Sequence, residues 1–194
     1  MNIVDNIWML WFIVALAIFT YRIIVYNNFT RYVRGRAQVI TEARLLDIYQ
    51  VERTAATVRR KLPLRVSDRV GTPMLIGIVR PMLILPILET GDEELRQIFR
   101  HELTHYKRLD YLYKWIVQFT ICLHWFNPLL YRIGRQIDKN CELSCDEAVI
   151  RDMDSEGRVT YGRALMASLK SQENYRSFVI SMTMSDNAKS PKER

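Results

Sequence analysis

The chain has 194 residues, of which 49% are hydrophobic and 25% charged, and its formal net charge is +7. A chain of this length can form one modest domain with its own hydrophobic core. An excess of basic residues is typical of proteins that bind nucleic acid, an anionic membrane surface or an acidic partner. The sequence shows no zinc-finger spacing, helix-turn-helix or aromatic RNA-binding pattern, and many arginines flank apolar segments. We therefore expect a lipid bilayer as a partner and no direct nucleic acid binding.

The three cysteines further limit the class of protein. Cys122, Cys141 and Cys145 form no even-numbered framework, which argues against a secreted disulfide scaffold. We therefore expect free thiols in a reducing compartment.

The first part of the chain, residues 1–28, is predicted to be a transmembrane anchor. The run from Ile7 to Tyr21 carries no charge, and the apolar character continues to Val25, which gives about 19 residues and is enough for a membrane-spanning helix. A cleavable signal peptide is the competing interpretation, but the N-terminus has no positive charge and no small-x-small cleavage site follows. Arginines come after the run, at Arg22, Arg31, Arg34 and Arg36. Because basic residues gather on the cytoplasmic side of a membrane, we expect the downstream domain to face the cytoplasm.

The second part, residues 29–175, is predicted to be a mostly helical α+β domain with a small β-sheet. Residues 37–61 have the pattern of a charged amphipathic helix. Short apolar runs between residues 64 and 86, punctuated by glycine and proline, indicate two or three strands, one of them at an edge. Two further helices are predicted, over 129–151 and about 158–170. The third part, residues 176–194, is polar and is predicted to be a flexible tail.

A second apolar helix is predicted at about residues 112–131. Its uncharged stretch from Trp115 to Tyr131 has about 17 residues, which is short for a membrane span. Three interpretations stay open with equal weight: a second crossing, a helix that dips into the membrane interface, and a buried core helix. We assign it as membrane-associated, with a break at Asn127-Pro128.

Residues 101–105 read His-Glu-Leu-Thr-His and lie in a helix that Thr90-Gly91-Asp92-Glu93 is expected to cap. Side chains four residues apart on a helix face the same way, so His101 and His105 can bind one Zn²⁺. Glu102 can then act as general base on the attacking water and later donate the proton to the leaving amine. The pattern predicts a zinc hydrolase.

Zinc in such sites takes a third protein ligand, and the residues offer three candidates. Glu142 and Asp146 are four apart on a predicted helix, so Glu142 can bind zinc while Asp146 hydrogen-bonds a ligand histidine. Spacing alone does not separate this from a solvated acidic pair. Cys145 is a minor alternative ligand, although packing is the simpler role for it. His124 lies in the apolar block and is better explained as a core or interface histidine.

The motifs resemble those of the BlaR/MecR antirepressor metallopeptidases, which are bacterial integral-membrane gluzincins that transduce a β-lactam signal. The resemblance covers residues 30–180. Its motifs are His101-Glu102-Leu103-Thr104-His105 with Asp110, His124-Trp125-Phe126-Asn127-Pro128-Leu129, and Glu142-Leu143-Ser144-Cys145-Asp146-Glu147-Ala148, after a matching segment at 72–86.

The resemblance implies a gluzincin-like zinc metallopeptidase domain over residues 29–175, on the cytoplasmic side of a bacterial cell membrane. It implies the metal ligands His101, His105 and Glu142, the catalytic residue Glu102, and the supporting residues Asp146 and Asp110. Zn²⁺ is the only cofactor expected. The strand near residues 74–79 is expected to be the edge on which an extended substrate docks.

The function expected from the resemblance is cleavage of a cytosolic protein, such as a transcriptional repressor or the protease itself. A non-catalytic signalling or scaffold fragment with a zinc site is one alternative, but it has no need of Glu102. An intramembrane-type metalloprotease is another, but the charged residues Arg96, Arg100, Lys107 and Arg108 argue for a site at or outside the membrane surface. The family's sensors also carry more N-terminal membrane helices and a penicillin-binding domain, so antibiotic sensing is expected only by analogy.

Overall fold

The computed structural model describes residues 6–87, 91–151 and 153–166, and the predicted tail at 176–194 lies outside them. The helices are α1 (Ile7–Arg36), α2 (Ala43–Ala55), α3 (Asp92–Lys107), α4 (Asp110–Leu123), α5 (Pro128–Ile150) and α6 (155–166). The strands are β1 (Gln38–Val39), β2 (Leu64–Val66), β3 (Met74–Ile76) and β4 (Met82–Leu85). These elements confirm the mostly helical α+β fold with a small sheet.

Helix α1 has 30 residues and is about 45 Å long at 1.5 Å per residue. Within the described residues it is the one helix long and apolar enough to cross a membrane. Its apolar N-terminal half is almost entirely exposed, whereas its last turns pack on the sheet through Val33.

The sheet has the strand order β1-β2-β4-β3, with a parallel pair, β2 and β4, between two antiparallel ones. The prediction of two or three strands misses β1, because a two-residue strand has no detectable alternation. The single helix predicted over 37–61 is wrong at both ends. Its first residues pair with β2, and Thr57, at a positive φ of 57°, stops the chain from continuing as a helix.

The core lies on both faces of the sheet, because successive strand residues point to opposite sides. Leu83 belongs to the cluster that α2 and α3 form on one face, and Ile84 to the cluster around the end of α1 on the other. Across the first of these interfaces, the buried carboxylate of Glu52 pairs with Arg96 and Arg100 at 3.4 and 2.6 Å. This ion pair and the apolar cluster fix the position of α3.

The second apolar block is not one helix over residues 112–131. Helix α4 ends at Leu123 and α5 begins at Pro128, which suits a first helical turn because it has no N–H to satisfy. The Asn127 side chain accepts a hydrogen bond of 3.0 Å from the Leu129 amide. The block therefore folds as two helices joined by a tight turn, with the break at Asn127-Pro128.

Candidate metal centre

Helix α3 directs its buried apolar face, which includes Phe99 and Leu103, toward the sheet. This orientation leaves the imidazoles of His101 and His105, one turn apart, half-buried in a cleft bordered by α4, α5 and α6. The helix begins after Gly91 with three acidic residues in its first turn, where they favour the helix dipole. Thr90, part of the expected cap, lies outside the described residues.

Three donor atoms converge at the open end of the two imidazoles. His105 Nε2 lies 3.0 Å from His101 Nε2 and 3.2 Å from Glu142 Oε2, and the remaining separation, between His101 Nε2 and Glu142 Oε2, is 3.7 Å. A tetrahedral zinc ion with ligand bonds near 2.0–2.1 Å separates its donors by about 3.3 Å. The spacing and the two-nitrogen, one-oxygen donor set therefore fit zinc.

Asp110 holds the other side of the His105 ring. Its Oδ2 lies 2.7 Å from His105 Nδ1, and its Oδ1 lies 3.4 Å from Arg108 Nε. Leu109, at a positive φ of 58°, turns the chain sharply between α3 and α4 and so brings Asp110 back toward His105. A carboxylate at Nδ1 fixes the tautomer that presents Nε2 to a metal.

His101 has an equivalent arrangement with two partners instead of one. Its Nδ1 lies 2.8 Å from the Tyr161 hydroxyl and 3.2 Å from Asp146 Oδ1, and Tyr161 donates a 2.6 Å hydrogen bond to the same Asp146 oxygen. Tyr161 is buried on α6. Tyr161 could not be predicted as a site residue, because nothing in the spacing of a single tyrosine 60 residues beyond His101 connects the two.

Cys145 is a geometric competitor for a metal. Its buried sulfur, together with one ring nitrogen from each of His101 and His105, forms a group within 4.8 Å. Sγ nevertheless lies 3.8 Å from Nδ1 of His101, the nitrogen that Asp146 and Tyr161 already occupy. Glu142 instead lies at the Nε2 atoms of both rings. We favour Glu142 as the third donor on this ground.

The charges in the cluster are mutually dependent. Burial lowers the pKa of His101 and His105, but the neighbouring Cys145 and Glu142 outweigh it, so that each pKa lies above the ordinary histidine value. Hydrogen bonds from both histidines lower the pKa of Glu142, and Lys114 Nζ lies 3.0 Å from its Oε1. Both imidazoles and Lys114 thus stabilise the ionised form of the Glu142 carboxylate.

Glu102 lies beside the histidines in a cleft of about 690 Å³. Burial raises the pKa of this carboxyl group. Edge strand β3 also lines this cleft, through Met74 and Leu75. His124 is not brought to the site, since it follows α4 at the end opposite Asp110, about 20 Å away along the helix.

Comparison with known proteins gives the family. A family model described as BlaR1 peptidase M56 matches residues 1–194. The chain is 26% identical over 164 residues to the regulatory protein BlaR1 of Bacillus licheniformis, a match that covers 84% of this chain and 27% of that protein. It is 30% identical over 119 residues to the methicillin resistance MecR1 protein of Staphylococcus aureus strain Mu50, a match that covers 59% of this chain and 20% of that protein.

The chain therefore corresponds to well under half the length of these relatives. The family match, in contrast, extends over the whole sequence, and it confirms the resemblance drawn from the three motifs. The chain belongs to the BlaR1 peptidase M56 family of metallopeptidases.

Proposed function

We propose that the chain is a membrane-anchored zinc endopeptidase that cleaves a cytosolic regulatory protein, itself, or both, in a signalling pathway of the β-lactam-response type. The observation that carries the proposal is the convergence of His101, His105 and Glu142 beside Glu102 in one cleft. The names of the relatives, a regulatory protein and a methicillin resistance protein, support the pathway.

Each residue of the centre has a proposed role. His101, His105 and Glu142 would hold Zn²⁺, which supplies Lewis-acid activation of water and of the peptide carbonyl. The Glu102 carboxylate would take a proton from the attacking water and return it to the departing amine nitrogen. A pKa raised by burial suits a group that must accept and release a proton near neutral pH. Asp110, Asp146 and Tyr161 would hold the two rings in place.

The shape of the cleft favours a protein substrate. Strand β3 pairs with β4 on one side only within the described residues, and it borders the cleft. An extended peptide can add to such an edge as a further strand, which would place its backbone along the metal centre. Because β-augmentation uses backbone groups, it suits a substrate recognised as a segment of polypeptide.

The proposed location is a bacterial cell membrane, with α1 as anchor and the catalytic domain in the cytoplasm. Arg34 and Arg36 lie in the last turn of α1, next to the folded domain, as expected for the cytoplasmic end of a span. An intramembrane protease is disfavoured because α3 uses Arg96 and Arg100 to reach Glu52. A non-catalytic scaffold is disfavoured because it would not need the buried Glu102 beside the histidines.

The test compares the full chain in lipid vesicles with its Glu102→Gln variant, both loaded with zinc. We expect the parent to cleave casein, as a general unfolded substrate, or itself, and the variant to keep its zinc while losing roughly 100-fold or more in rate. Glu147→Gln, which changes an exposed carboxylate on α5, is the matched control and should cleave like the parent. Equal cleavage by the parent and Glu102→Gln, with zinc bound to both, would rule out the proposed role.

A further inference from the structure

The uncharged stretch from Trp115 to Tyr131 folds as a helical hairpin that lies along α1. Trp11 contacts the end of α4, where its indole N–H donates a 2.8 Å hydrogen bond to the Leu123 carbonyl. Phe19 packs edge-on against Trp115 and Phe119 farther along. Helix α4 therefore runs antiparallel to α1, and the hairpin turn lies at the level of Trp11.

A group of charged side chains lies farther along α1, α4 and α5 from the hairpin turn. Arg22 on α1 borders a small cavity together with Gln118 on α4 and with Arg135 and Asp138 on α5. Gln118 lies five residues before Leu123, where α4 ends, which corresponds to about 8 Å of helix. One leaflet of a hydrocarbon core of about 30 Å is about 15 Å deep. The hairpin is thus long enough to enter the inner leaflet of a bilayer whose surface lies at Arg22.

Several backbone groups of the hairpin turn are hydrogen-bonded within the protein. The His124 amide bonds to the Thr120 carbonyl, the Asn127 amide to the His124 carbonyl, and the Tyr131 hydroxyl to the Trp125 carbonyl. Hydrocarbon offers no hydrogen bonds, so irregular backbone can enter it only when such partners are supplied. The turn meets this requirement at the positions just named.

Within the part of the chain that the structure describes, large apolar side chains on the outer surface of the hairpin are exposed. The most exposed large hydrophobic side chains are Ile116 on α4, Phe126 at the turn and Leu129 on α5, at 62%, 60% and 57%. The exposure argues against a buried core helix.

The two arms of the hairpin begin and end at the same site, because Asp110 at the start of α4 and Glu142 on α5 both contact His105. A second crossing would separate these two residues.

We propose that the α4–α5 hairpin enters the inner leaflet beside α1 and turns back within that leaflet, with lipid acyl chains as its occupant. The inference depends on the proposed membrane anchor, whose apolar surface it continues. Asp110 lies about 12 Å along α4 from Gln118, so the hairpin would hold the metal centre close to the membrane surface. The protease would then act on peptides at the membrane surface.

The test measures the depth of single nitroxide labels on the full chain in vesicles of phosphatidylcholine and phosphatidylglycerol. Phe126→Cys places the label at the turn, Ile13→Cys on the exposed face of α1, and Leu143→Cys on the exposed part of α5 beside the metal centre. Leu129→Cys is the second hairpin variant, in case Phe126→Cys does not fold. The native cysteines are buried, and the labelled parent gives their background.

Oxygen collects in hydrocarbon and a polar nickel complex stays in water, so their relaxation ratio reports depth. We expect the ratios at positions 126 and 13 each to be roughly fivefold or more above the ratio at position 143. A water-like ratio at 126 with a deep ratio at 13 would overturn the hairpin and leave the anchor intact. Water-like ratios at both positions would refute the anchor itself.

Two further outcomes would also overturn the proposal. If a membrane-impermeant maleimide modifies the Phe126→Cys variant at position 126 from the N-terminal side of the vesicle, the block crosses the membrane a second time. A label at 126 that is immobile and shielded from both oxygen and nickel would show that a second copy of the chain covers the hairpin instead of lipid.

Discussion

The third metal ligand can be identified by comparing two single substitutions on α5, Glu142→Ala and Cys145→Ser. Glu142 Oε2 lies 3.2 and 3.7 Å from the two Nε2 atoms, whereas Cys145 Sγ lies 3.8 Å from His101 Nδ1. If the metal binds at the Nε2 atoms, Glu142→Ala removes a direct charged donor. Cys145→Ser instead alters a contact behind one ring.

The expected magnitudes follow from this placement. Loss of a partner that only supports a ligand costs 10–100-fold in metal affinity, so loss of a ligand itself should cost about 100-fold or more. A 100-fold change corresponds to roughly 2.7 kcal/mol of binding free energy. Cys145→Ser should stay within about tenfold of the parent. The Glu142 side chain is 48% exposed, so its removal should leave the fold intact.

The assay is competition for zinc against a chromophoric chelator, with the metal-free fold checked by circular dichroism. Glu147→Ala, which removes an exposed carboxylate from the same helix, should bind zinc like the parent. Cobalt substitution gives an independent signal, because a thiolate ligand produces a charge-transfer band that a carboxylate does not. A larger loss of zinc in Cys145→Ser than in Glu142→Ala, or a cobalt–thiolate band in the parent, would contradict the assignment.

Two other properties of the centre can be measured. Tyr161→Phe removes the hydroxyl that bridges His101 and Asp146, and it should weaken zinc binding by about 10–100-fold without unfolding the chain; unchanged affinity would show that Asp146 alone holds the ring. Without metal, protonation of His101 and His105 adds to the free energy of unfolding, because the pKa of each is raised in the folded chain. This contribution is fully present below the ordinary histidine pKa of 6.5 and is lost as the pH rises toward the raised pKa values. Thermal melting in the presence of chelator should therefore show a decline above about pH 6.5. Zinc affinity should increase over the same range because binding displaces the imidazole protons, and a flat affinity between about pH 6 and 8 would contradict this coupling.

The sequence was sufficient for the features that depend on local spacing. The helical period alone brings His101 and His105 to one face, and Asn127-Pro128 alone indicates where the second apolar block breaks. Glu142, 37 residues beyond His105, reaches the centre only because α5 packs on α3, so its spacing alone could not identify it as a third ligand. Tyr161 depends on the docking of yet another helix, and spacing offers no signal for it.

The sheet shows the same limit. Strand β1 exists because Gln38 and Val39 pair with β2, and two residues are too few for any alternation to appear. The positive φ of Leu109 was equally hidden, since a leucine in that conformation is uncommon. Both features depend on contacts between secondary-structure elements and not on the conformational preferences of the residues themselves.

The two-residue joint at Arg108 and Leu109 also affects the order in which the centre can assemble. His101, His105 and Asp110 fall within ten consecutive residues, so α3 and α4 can bring them together without closing a long loop. Glu142 has to return over 37 residues, and Tyr161 over 60. The lower entropy cost of closing a short loop therefore favours early assembly of His101, His105 and Asp110, and later docking of Glu142. A zinc ion held by His101, His105 and Glu142 would then also stabilise the packing of α5 on α3, so metal binding would contribute to the tertiary fold as well as to the proposed chemistry.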